Sequence, residues 1–148
     1  MSENVVTPPI TKAEILNEVP GGADLLRWFE GRVPSFHDAE IISVTLDREG
    51  ISGNIRIRTF EMTSDVDAQG YFVLKKHVVV GFQLSGITGL ELTDFNHQNV
   101  IDGLSVSDAS QAAAAKLVVE VRSIFGFGGK WRCQSAEVTA VTQGPSEA

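Results

Sequence analysis

From Glu40 to Arg48 the chain alternates Ile42, Val44 and Leu46 with Ser43, Thr45 and Asp47. That period of two places apolar and polar side chains on opposite faces of a half-buried strand. Asn54 to Met62 repeats it, with Ile55 and Ile57 set against Arg56 and Arg58, and the short Glu49-Gly50 to Gly53 loop between the two runs predicts a hairpin. Ser64 to Gly70 reads as a polar, acidic connection. Tyr71 to Leu84 is apolar on both faces around Val78-Val79-Val80, the pattern of a strand inside a sheet. Further strands are expected at Ile87 to Phe95, briefly at Leu104 to Val106, at Lys116 to Phe125 and at Lys130 to Thr142. The last two meet across Gly126-Phe127-Gly128-Gly129.

The helical period is confined to the N-terminal part. A short helix is expected near Lys12 to Asn17, closed by Pro20-Gly21-Gly22. A better one runs from Ala23 to Glu30, with Asp24 at its positive end, Leu25, Leu26, Trp28 and Phe29 as its stripe, and Gly31 as its stop. Ala112 to Ala115 is too short to make a helix alone and reads as a loop or strand entry. The fold class is therefore mainly β, or α+β: an antiparallel sheet or sandwich of about seven strands with a short N-terminal helix. Residues 1–11, with Thr7-Pro8-Pro9, read as a flexible leader, 12–142 as one globular domain and 143–148 as a tail.

Composition narrows the partners. Of 148 residues, 43% are hydrophobic and 21% charged, enough for a real core. The net charge of −7 argues against a sequence-independent nucleic-acid binder, which needs Lys and Arg to displace counterions, and suits a soluble protein, or one whose partner is basic. Cys133 is the only cysteine, which excludes an internal disulfide and a four-cysteine zinc site. Its apolar setting reads as core. The start Met1-Ser2-Glu3-Asn4 lacks the form of a signal peptide, and no apolar run reaches the roughly 18 residues of a membrane span, so the cytoplasm is expected.

Candidate chemistry sits in Phe36-His37-Asp38-Ala39-Glu40. A metal-dependent hydrolase or polar-ligand site would use His37, Asp38 and Glu40, with His97 as a distant fourth group. In extended chain, however, His37 and Asp38 point to opposite faces, and His37 meets Glu40 only across a helical turn. The plainer alternative makes Phe36 a core plug and has His37 and Asp38 hold a turn-to-strand corner by side-chain to backbone bonds. Asn96-His97-Gln98-Asn99 is a dense amide cluster, suited to bracing a loop or to a contact surface. The glycines at 126–129 lack the Lys-Ser/Thr ending of a phosphate loop. No cofactor is expected.

Pro34 to Ile41, preceded by Trp28-Phe29-Glu30-Gly31 and followed by Phe95-Asn96 and Gln98-Asn99-Val100-Ile101, resembles the bacterial immunity protein 50 family. The similarity runs from about Leu25 to Val141. The resemblance implies an inhibitor that binds the toxin domain of a polymorphic toxin system, not an enzyme. It makes Phe36, His37, Asp38 and Glu40 part of the fold and names no binding site. Glu91, Asp94, Asp102 and Asp108 fall in a stretch free of Lys and Arg between Lys76 and Lys116. With Asn96, Gln98 and Asn99 they form the expected contact surface for a basic toxin, such as a nuclease. Oligomeric state is open.

Overall fold

The computed structural model describes residues 11–70, 72–108 and 116–143. The leader before Thr11, the Ala112 to Ala115 segment and the tail beyond Gln143 lie outside the described residues. In chain order the elements are α1 (Ala13–Glu18), α2 (Gly22–Trp28), β1 (Glu40–Asp47), a 3-10 turn at Glu49–Ile51, β2 (Ser52–Val66), β3 (Phe72–Ser85), β4 (Gly89–Thr93), β5 (Val100–Asp108), β6 (Leu117–Phe125), β7 (Gly128–Cys133) and β8 (Ser135–Gln143). All eight strands belong to one sheet, ordered β4-β7-β6-β5-β1-β2-β3-β8, with antiparallel ladders.

This order forces the sheet to roll. β7 and β8 lie near opposite ends of it, yet only Gln134 separates them in the chain. Likewise β3 becomes β4 after three residues. One long strand, 128–143, therefore pairs first with β4 and then with β3. Gln134 N–H bonds to Ser85 O (3.1 Å), and Thr88 N–H to Arg132 O (2.7 Å), across the bend. Gly86 makes the bend possible: its φ is +65°, and an added Cβ would stand 2.8 Å from Gln134 Cγ.

The core fills the inside of the roll. Ile55 and Ile57 of β2, Val80 and Phe82 of β3, Val119 of β6 and Trp131 of β7 are all 0–1% exposed. They recur at every second residue, as the alternation requires. Each such burial contributes on the order of 1.5–3 kcal/mol before entropy is counted.

Two expectations are corrected here. Lys130 to Thr142 is two strands in different parts of the sheet, which brings the count to eight. The short strand at Leu104 to Val106 is the middle of the nine-residue β5.

α2 packs against β8 and α1 against α2 and β5, and the link between them reaches the edge of β8. Pro20 O accepts the Val138 N–H (2.8 Å), and Gly21, at φ +79°, lies so close that a Cβ would meet Val138 O at 2.1 Å. Leu16, Leu25, Leu26 and Phe29 are buried beneath them. α2 ends as Glu30 turns left-handed (φ +57°), with Glu30 N–H on Arg27 O and Gly31 N–H on Leu26 O at 2.7 Å. That is the paired-bond stop expected at a helix C-terminus, displaced one residue ahead of the glycine.

Candidate functional site

The segment after α2 reaches β1 through a tight corner. Phe36 and Asp38 both take left-handed backbone (φ +62° and +63°). For a bulky aromatic residue this is strained, and burial holds it: Phe36 is 4% exposed and meets Phe82 edge-on at 6.1 Å. Ala39 N–H closes the turn on Phe36 O (3.0 Å), and the His37 main-chain N–H donates to Ser35 Oγ (3.2 Å).

Four contacts then tie the corner to the start of β5. Asp38 N–H donates to Ile101 O (3.0 Å), Ile101 N–H to Ala39 O (2.9 Å) and Ile41 N–H to Asn99 O (2.9 Å), while Glu40 stands opposite Val100. The two segments that stand apart in the sequence are thus neighbours. They form the seam between β1 and β5.

Around this seam lies an exposed polar cluster. His37 Nδ1 is 3.2 Å from both the carbonyl and Oδ1 of Asp102, Nε2 is 3.6 Å from Asp38 Oδ1, and Arg122 Nε is 3.8 Å from Asp102 Oδ2. Gly103 lets the guanidinium lie across β5, since a Cβ would stand 2.5 Å from Arg122 Nη2. His37 and Asp102 are each about half exposed, so pairs of this kind contribute only about 0–1 kcal/mol. Arg122 has no sequence signature as a member, because its partners are remote in the chain. Glu40 faces away along β1, opposite Arg58, and His97 sits exposed in the loop before β5. Among the described residues, no three His, Cys, Asp or Glu side chains come together as a metal site.

The amide cluster divides. Asn96 Oδ1 accepts the Gln98 N–H (3.0 Å) and its Nδ2 donates to Asp94 O (3.0 Å), shaping an exposed turn. Asn99, expected at a contact surface, is 3% exposed and points inward. Its Oδ1 accepts N–H groups from Asn96 (2.9 Å) and Phe127 (3.1 Å), and its Nδ2 donates to Asn96 O (2.7 Å). Every one of those bonds is internal, which removes Asn99 from any contact surface.

The acidic stretch is also split. Glu91 and Asp94 lie on and just after β4 near Asn96 and Gln98. Asp102 belongs to the His37 cluster, and Asp108 ends β5 beside α1. Cys133 is fully buried, and loss of solvation pushes its thiol pKa up to about 11 against the opposing pull of the Ser135 backbone.

Among the described residues no helix is long and apolar enough to cross a membrane. Neither a curated protein nor a solved structure matches the chain. The family model described as immunity protein 50 matches residues 22–144, from α2 through β8, and so takes in the corner, the seam and the amide turn. The chain belongs to the immunity protein 50 family.

Proposed function

We propose that this protein binds a cognate bacterial toxin domain and neutralises it as a non-covalent complex, without catalysis of its own. The observation that carries the reading is the family match over residues 22–144. The chemistry on the page agrees with it. The main-chain polar groups of the corner are taken up in the β1–β5 seam. A net charge of −7 favours a basic toxin, such as a nuclease, through faster and salt-sensitive association. Glu91, Asp94, Asn96 and Gln98 are the exposed acidic and amide groups offered to it, while Asp102 and Asp108 lie apart. The test is co-expression with the cognate toxin domain, sought first among the genes neighbouring this one. Cells should survive the toxin only with this protein present, and the purified pair should migrate as one complex. Toxicity undiminished by abundant folded protein would end the reading.

A further inference from the structure

The roll is not closed everywhere. β4 is the last strand in the order, so one of its edges has no partner strand. β1 pairs with β5 only at Glu40 and Val100, and from Ser43 to Asp47 its ladder is with β2 alone. Between these two bare stretches lies a hollow of about 350 Å³ lined by Val44 and Leu46 of β1, by Leu92 of β4, and by Asp94, Phe95 and Phe127.

The inner face of the sheet is exposed at this gap. Val44 stands opposite the fully buried Ile55, and Leu90 opposite the fully buried Trp131, so these side chains point to the core side. Yet Leu46 is 53% exposed, Leu90 40% and Phe95 52%. Bare strand edges are normally covered or blunted, and the same sheet shows how: α2 packs on β8 and the link before it bonds to the β8 edge through Pro20. At the β1–β4 gap the described residues provide no such cover. An apolar trough between two unpaired edges is suited to receiving an extended segment as an added strand.

We propose that the gap between β1 and β4 is the toxin-docking groove, occupied by an extended, basic segment of the toxin inserted as a strand; this rests on the immunity reading above. Main-chain groups of Ser43–Asp47 and Gly89–Thr93 supply its ladder, and Leu46 and Phe95 hold its apolar side chains. Charge selects the occupant. Asp94 lines the groove, and the whole chain carries −7. A lysine or arginine flanking the inserted strand meets this carboxylate.

The test uses the full chain and a catalytically inactive variant of the toxin domain that it protects against. Leu46→Arg and Phe95→Asp alter side chains already half exposed, so they leave the fold intact. Each is expected to weaken binding about 100-fold, the scale of a central contact residue. Val66→Arg changes a side chain that is 57% exposed, far along β2 from Gly53, the partner of Leu46, and should bind like the wild type. Complex formation should also slow amide exchange at Ser43–Asp47 and Gly89–Thr93. If the wild type binds and both groove variants bind equally well, the groove is wrong and the immunity reading survives. A wild type that neither binds nor protects overturns both. A wild-type dimer made monomeric by Leu46→Arg would assign the groove to a second copy of this chain and overturn the proposal.

Discussion

Asn99 shows how one side chain fixes the approach to β5. A buried amide that accepts two main-chain N–H groups and donates to a carbonyl leaves all three unpaired when it is removed. Asn99→Ala is expected to cost about 2–4 kcal/mol, read as a fall in the urea midpoint, because unpaired buried groups carry their full desolvation penalty. Asn99→Asp keeps the two accepted bonds and should lose less. An alanine variant as stable as the wild type would mean that water replaces the amide. Cys133 offers a second, pH-dependent check. Its folded pKa of about 11 lies above the ordinary thiol value of 9.0, so the native state keeps the thiol proton after the unfolded state has lost it. Stability from this group is complete below pH 9 and declines as pH rises toward 11, by roughly 2–3 kcal/mol. Wild type should therefore lose more stability between pH 8 and pH 10.5 than Cys133→Ala, measured by denaturant midpoints; parallel losses would contradict it. Neither role is visible locally. The amide run in the sequence is equally a surface or a brace, and only the Phe127 N–H, brought in from the next turn, decides for Asn99.

Helices of six and seven residues do not persist alone, so α1 and α2 depend on the strands that they pack against. Gly21 is the hinge of that contact. Gly21→Ala would place a Cβ against Val138 O and strain a left-handed backbone, two penalties with no room for relaxation. We expect several kcal/mol of destabilisation, faster amide exchange at Val138, and a tendency to aggregate through the uncovered edge of β8. A variant that stays monomeric with Val138 still protected would show that the cap is dispensable. The strands were largely legible where burial alternates, as at Ile55, Ile57 and Thr59 of β2, Val119 and Val121 of β6, and Ala136 and Val138 of β8. The division of 128–143 was not recognised, although it left a trace. Trp131 and Cys133 are buried at odd positions and Ala136 and Val138 at even ones, the phase slipping at the exposed pair Gln134-Ser135. A slip of one residue turns a strand's apolar face over unless the chain changes partners, as it does here. The nine residues of β5 were foreshortened because Gly103 and Ser105 interrupt its apolar run, both buried for tertiary reasons.

At the scale of the whole molecule, the corner and seam that carry most of the family likeness are a different surface from the groove proposed for the toxin, which shares with the likeness only Phe95. Phe36 to Ile41 and Asn99 to Ile101 close the roll at the β1–β5 seam, while the bare edges of β1 and β4 begin where that seam ends. The separation has a physical logic. The closure keeps the sheet rolled, and the half-exposed side chains beside the open edges can change without unpacking it. The sequence announces the closure, through its corner motif, and is silent about the groove, whose walls are ordinary alternating strands. The two surfaces should therefore fail in different ways. Phe36→Ala removes a buried ring packed on Phe82 and should cost about 3–5 kcal/mol. Its loss of toxin protection should match the fall in folded protein and be restored by raising expression or lowering temperature. Leu46→Arg should leave the stability within about 0.5 kcal/mol of wild type, as a surface change does, and still lower protection at matched amounts of folded protein. Scoring protection per folded molecule for both variants separates the cases. Equal protection per folded molecule in the two would mean that β1 and β4 have no privileged contact with the toxin.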